Sequence, residues 1–159
     1  MSTVIEQRIA TLIGNLGLVP LFVLAIVLWM PWSGSVLLRI QFALVGYAAA
    51  VLSFLGAIHW GLALANPGLD KPKAWNALGW GVIPSLLGWL ALLMLLLGVP
   101  AAVVFGFLIG DLLLVRVVDG QLMRLYATPV APWYLSLRTR LTLGAALCLF
   151  AALLAAVPR

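Results

Sequence analysis

Apolar residues run along this chain in blocks long enough to cross a bilayer, and the polar and turn-forming residues gather in short clusters between them. The first block, about 9–30, carries no charge and closes at Pro31-Trp32-Ser33-Gly34-Ser35, a strong turn signal. Pro20 inside it predicts a bend, which membrane helices tolerate. A second helix is expected over about 36–65. Thirty residues make ~45 Å of helix against a hydrocarbon layer of ~30 Å, so this helix must tilt or project, with Arg39 snorkelling to the interface. Asn66-Pro67-Gly68-Leu69-Asp70-Lys71-Pro72-Lys73 then forms a polar loop.

Residues 74–110 contain no charge and are too long for one span. Gly98-Val99-Pro100 divides them into a third helix, about 75–97, and a fourth, about 101–118, joined as an antiparallel hairpin. Pro84 within the third frees the carbonyl of Trp80 and predicts a kink. The apolar piece 125–137 is short of the roughly 20 residues a span needs and carries Pro129 and Pro132, so it is expected to lie along the interface. A fifth helix follows over about 141–157. The pattern predicts an all-α fold: a polytopic integral membrane bundle of five transmembrane helices, forming a single domain over 1–159. Four spans, without the last, or six, with 125–137 crossing, fit the charge pattern less well.

Five spans place Arg8, Lys71, Lys73, Arg116, Arg124, Arg138 and Arg140 on one side, leaving Arg39 and Arg159 of the nine basic residues on the other. The inside-positive bias predicts the N-terminus inside and the C-terminus outside. Tryptophans fit an aromatic belt, with Trp29 and Trp32 at the outer interface and Trp75 and Trp133 at the inner one. Trp60, Trp80 and Trp89 lie deeper.

Composition agrees: 65% of residues are hydrophobic and 8% charged, against about 25% charged in soluble domains. The net charge of +5 is spread thinly between apolar blocks, with no basic face to track phosphates, which excludes nucleic acid as a partner and points to membrane lipids. Cys148 is the single cysteine, so no intrachain disulfide forms, and it reads as a small packing residue. Arg8 before an apolar run begins like a signal peptide, yet the run is long and no small-x-small site closes it; a retained first helix is expected.

Two ionisable residues lie well within the expected spans, His59 in the second and Asp111 in the fourth, each about 9–10 Å from the inner end of its helix. A charged carboxylate facing lipid costs several kcal/mol, so Asp111 should face the interior, be neutral or be paired. His59 is a natural partner, able to donate from one ring nitrogen and accept at the other. Gly106 and Gly110 form a small-xxx-small pattern beside Asp111 that suits close helix packing or a homodimer face. Were Gly56 to face Gly110, His59 and Asp111 would come within reach. Trp60, Trp80, Asn76, Arg116, Arg138 and Arg140 complete the candidate polar cluster at that level.

Metal binding is not indicated, because one histidine, one distant cysteine and one buried aspartate do not make a closed zinc site. A haem could take His59 on one side only. No phosphate-binding or dinucleotide glycine motif is present, and no serine has a usable triad, so enzymatic activity is disfavoured and no cofactor is specified.

The stretches Ser53-Phe-Leu-Gly-Ala-Ile-His59-Trp60-Gly61, Leu78-Gly-Trp-Gly-Val-Ile-Pro84-Ser85 and Trp133-Tyr-Leu-Ser-Leu-Arg138-Thr-Arg140 resemble the membrane family known as domain of unknown function 3429, which includes transmembrane protein 69-like proteins. The resemblance covers nearly the whole chain. It implies a small protein of the bacterial inner membrane with mitochondrial relatives, directs attention to His59-Trp60 and Arg138/Arg140, and brings no activity or catalytic residue. In size, span count and tryptophan content the chain is also similar to the tryptophan-rich sensory protein family, which implies a ring-binding pocket.

Three readings follow. The protein is structural or accessory to a larger membrane complex; or it binds or carries a small apolar or ring-shaped ligand in a pocket at His59 and Asp111, walled by Trp60 and Trp80; or it couples proton exchange between those two residues to transport. Short length and the lack of an internal repeat weigh against the third.

Overall fold

The computed structural model describes residues 2–66, 68–123 and 131–157. Six helices follow one another: α1 Ser2–Leu16, α2 Val19–Val27, α3 Gly34–Leu64, α4 Lys71–Leu96, α5 Ala101–Leu122 and α6 Pro132–Ala156. Five segments are long and apolar enough to cross a membrane, with α1 and α2 sharing the first, Val4–Val27. Large apolar side chains such as Phe54, Leu96 and Leu147 are about 70% exposed on the outside of the bundle. Lipid is the solvent that makes such a surface stable.

The first span is broken outright. Pro20 sits in the first turn of α2, has no N–H, and leaves the carbonyl of Leu16 without its helical donor. Tyr47 of α3 donates its hydroxyl to the adjacent Gly17 carbonyl at 2.8 Å, which fixes the break against the bundle. α4, in contrast, continues through Pro84.

Several helix ends differ from those expected: the first span begins before residue 9, and α4 begins at Lys71, within the expected loop. Two further differences shape the site. α5 runs on to Leu122 instead of stopping at Val118, because Asp119 does not break a helix; only its charge suggested an end. α6 starts at Pro132 instead of Leu141. Proline in the first turn of a helix is favourable, since the N–H it lacks would have no partner there. Residues 132–137 of the expected interfacial segment therefore belong to α6, and its earlier part, from 125 to 130, lies outside the described residues.

α3 and α4 make the most extensive contact, followed by α5 and α6. The α3–α4 seam is built from small residues. A Cβ on Gly56 would lie 2.3 Å from the Gly81 carbonyl oxygen, and one on Gly88 would lie 2.8 Å from the Ala49 Cα. Only glycine allows backbones this close. Gly56 thus faces Gly81 and not Gly110, around which a Cβ would meet nothing within 4 Å; Gly106 has ordinary contact with Leu153. The core joins Leu44, Leu52, Phe105, Leu108 and Leu149, all fully buried. At the loop between α3 and α4, Lys73 donates to Asp70 at 2.8 Å and holds its carboxyl below the usual carboxylate range, though both are exposed.

Candidate functional site

Four helices bring polar side chains to one buried point, at the end of the bundle that carries the α3–α4 and α5–α6 connections. Its centre is Asp119 of α5, 1% exposed. Oδ1 accepts from Nε2 of His59 at 2.7 Å, from α3, and from the indole N–H of Trp80 at 3.4 Å, from α4. Oδ2 accepts from Nε of Arg138 at 2.6 Å and from its Nη2, from α6. An ionised carboxylate can only accept, so Nε2 of His59 carries the proton. Each oxygen takes two donors, and one negative and one positive charge cancel within the cluster.

Arg138 is 4% exposed and His59 fully buried, so neither has bulk water to fall back on. Arg116, one turn before Asp119 on α5, extends the seam: its Nε donates at 2.8 Å to the hydroxyl of Thr139, which in turn donates to the Leu135 carbonyl at 2.9 Å. α5 and α6 are thus joined by two adjacent polar contacts, each with its arginine on a different helix.

Of the sequence candidates, the structure brings His59, Trp80 and Arg138 together and sets Arg116 beside them. The expected partnership of His59 with Asp111 is corrected: the partner is Asp119. The reason is depth. With α5 ending at Leu122, Asp111 lies about 16 Å from that end, and Asp119, within a turn of it, stands nearest the level of His59. Asp111 is buried on the same side of α5, 5% exposed, and its Oδ2 has no hydrogen-bond partner. Trp60 points elsewhere. It is 46% exposed, covers Gly81 and donates to the Leu78 carbonyl at 2.9 Å, so it does not form a wall opposite Trp80. Asn76 and Arg140 are exposed and take no part in the cluster.

Asp119 was missed because it was assigned to a loop. One signal for it was present: buried positions Val104, Leu108, Asp111, Val115 and Asp119 recur at spacings of three and four, so the inward side of the helix continues past Val118.

Beside the cluster lies a cavity of about 570 Å³ between the first span, α3 and α6. Gly14, Gly17, Leu21, Val51, Leu55 and Leu141 are among its apolar walls, while Arg138, Thr142, Tyr47 and Tyr134 add polar groups. Neither His59, Asp111, Trp60 nor Trp80 lines it, so the expected pocket at His59 and Asp111 is not where the space is. A second, shallower hollow lies on the outer face of α3 and α4 around Trp60, Trp75 and Lys71. Among the described residues no group of three His, Cys, Asp or Glu side chains could hold a metal ion.

An apolar five-span bundle with a compensated buried ion pair at one end defines a small multi-pass membrane protein. The chain belongs to the family of proteins of unknown function DUF3429, which it matches over residues 6–154. It is similar to transmembrane protein 69 of Xenopus tropicalis, 43% identical over 84 residues. That match covers 53% of this chain and 32% of the frog protein, so the two share only a part of the longer relative. No solved structure matches the chain.

Proposed function

We propose that this protein binds a small apolar or amphiphilic ligand, of the size of a single acyl chain, in the cavity between the first span, α3 and α6. The observation that carries the reading is the cavity itself: about 570 Å³ of mostly apolar space with one cationic side chain, Arg138, in its wall. Ligand sites commonly enclose 300–1,000 Å³, with a few fixed polar groups that orient the ligand. Arg138 is fixed because Asp119 holds two of its nitrogens, which leaves Nη1 for a ligand. The break in the first span lies against the same cavity, with Gly14 of α1 and Gly17 and Leu18 of the turn among its lining residues.

The test uses a palmitic acid analogue bearing a photoreactive diazirine in its chain, added to the purified protein in mild detergent. Ala50 lines the cavity and is itself exposed, so Ala50→Trp fills the space without disturbing the buried core. Crosslinks mapped by mass spectrometry should concentrate on residues 10–21 and 134–145 and fall at least tenfold in Ala50→Trp. Labelling spread evenly over all lipid-facing helices, and unchanged by Ala50→Trp, would sink the proposal.

A structural or accessory role has its own support in the way Asp119 ties four helices together. In that reading the cluster serves stability alone, and His59→Ala weakens the bundle without changing what the cavity holds. The inside-positive charge distribution supports an N-terminus inside, and the family resemblance a bacterial inner-membrane location.

A further inference from the structure

Asp111 is a buried carboxyl group that neither the polar cluster nor the cavity employs. It sits mid-helix within a span, 5% exposed, and Oδ2 has no donor. Its neighbours on the inward side of α5 are Leu108, Leu112 and Val115, all apolar and buried. The contrast with Asp119 is direct: two carboxylates on one helix, one with four donors and the other with an oxygen left bare.

The titratable groups on the helices packed against α5 do not answer it. On α3, His59 is bonded to Asp119, Tyr47 donates to the Gly17 carbonyl, and Arg39 lies near the opposite end of the bundle from His59. On α4, Lys71 and Lys73 stand in the first turn at the surface. On α6, Arg138 is bonded to Asp119, Arg140 is exposed and Tyr134 lies in the first turn. Cys148 is a thiol and carries no positive charge to offer. Arg116, on α5 itself, is bonded to Thr139.

An ionised carboxylate in such a place would be a bare charge in a low-dielectric interior, where groups shift to their neutral form instead. We infer that Asp111 is a proton-binding site, occupied at neutral pH, so that the chain carries a neutral carboxylic acid in the middle of its bundle. This makes Asp111 a place where one proton is held within the membrane and released only if water or a cation reaches it. The inference does not depend on what the cavity binds.

The chain is well suited to a direct test, because it contains only four aspartate and glutamate residues. Glu6 and Asp70 are exposed and Asp119 is paired with Arg138. Infrared spectroscopy of the full chain in lipid at pH 7 should therefore show one carboxylic acid carbonyl stretch. That band should shift in deuterium oxide, keep its full amplitude at pH 8 and vanish in Asp111→Asn. The same variant should unfold within twofold of the wild-type equilibrium, since an amide replaces a neutral acid of the same shape. A second readout is chemical. A hydrophobic carbodiimide takes the acid proton on one nitrogen while the carboxyl oxygen bonds to its central carbon, and the acyl group then moves from oxygen to nitrogen to give an N-acylurea, with nothing lost. An adduct at Asp111 and none at Asp119 supports the inference. If no protonated carboxyl band attributable to Asp111 is present at pH 7, and one appears only on acidification below that, the inference is overturned.

Discussion

Removing Asp119 is the sharpest perturbation the structure offers, because one side chain accepts from three others on three different helices. Asp119→Ala leaves the Arg138 guanidinium buried with no counter-charge. Breaking a buried pair in this way costs about 3–5 kcal/mol. His59 loses its 2.7 Å acceptor, a further ~1 kcal/mol, whereas the 3.4 Å contact from Trp80 is too long to add much. The expected loss is thus about 4–6 kcal/mol, a large part of the 5–15 kcal/mol that holds a typical domain together. Asp119→Asn should do little better, since its amide nitrogen would present hydrogens to donors that already surround it.

A double-mutant cycle separates this cause from simple loss of packing. Arg138→Leu alone leaves a buried carboxylate and should cost about 3–5 kcal/mol, yet Asp119→Leu with Arg138→Leu removes both charges and should recover to within about 2 kcal/mol of wild type. Unfolding by sodium dodecyl sulfate in mixed micelles, followed by fluorescence of the seven tryptophans, measures wild type, Asp119→Ala, Asp119→Leu, Arg138→Leu and the double variant on one scale. If Asp119→Ala lies within ~1 kcal/mol of wild type, or the two leucine substitutions simply add, the cluster is not the ion pair described here.

Two further outcomes are expected. Gly56→Ala should destabilise by about 1–3 kcal/mol in the same assay, because its new methyl would stand 2.3 Å from the Gly81 carbonyl oxygen and force the backbones of α3 and α4 apart. Gly110→Ala, where a Cβ meets nothing within 4 Å, should stay within ~0.5 kcal/mol, and a larger loss would reveal a partner pressed against that face. For orientation, cysteines placed at Gly34 and Gly68 in a chain with Cys148 replaced by serine should react with a membrane-impermeant maleimide from opposite sides of the membrane, with Gly68→Cys reached from the cytoplasm. Labelling of Gly68→Cys from outside intact cells would reverse the proposed orientation.

The number of spans was legible from the chain because lipid demands long apolar runs and turn residues punctuate them, as at Pro31-Trp32-Ser33-Gly34 and Gly98-Val99-Pro100. Helix ends were legible only where such residues mark them. The end of α5 has no proline and no terminating glycine turn, so the charge of Asp119 looked like a boundary when it was buried content. Pro132 misled in the opposite sense, since the residue that breaks a helix interior is also one that opens a helix well. His59 and Trp80 stood out as polar or flat groups inside a span, and Arg138 was already a candidate at the start of the last helix. Asp119 was the member passed over, because it was placed in a loop beyond the helix that buries it.

Side-chain rotation was beyond reach in a different way. Gly56, Gly81 and Gly88 each look like any glycine in a membrane helix, and which pair meets is decided by α3 packing on α4 across its whole length. Once Gly56 is turned towards Gly81, His59 three residues on is carried into the bundle near Trp80, and Trp60 is carried round to the outer face over Gly81. The tight glycine seam and the polar cluster are therefore one arrangement. The seam sets the rotation of α3, and that rotation selects Asp119, at the level of His59, over Asp111 about 12 Å deeper along α5. The deeper carboxyl is then left among leucines and valines with no base in reach, which is the condition under which an acid keeps its proton.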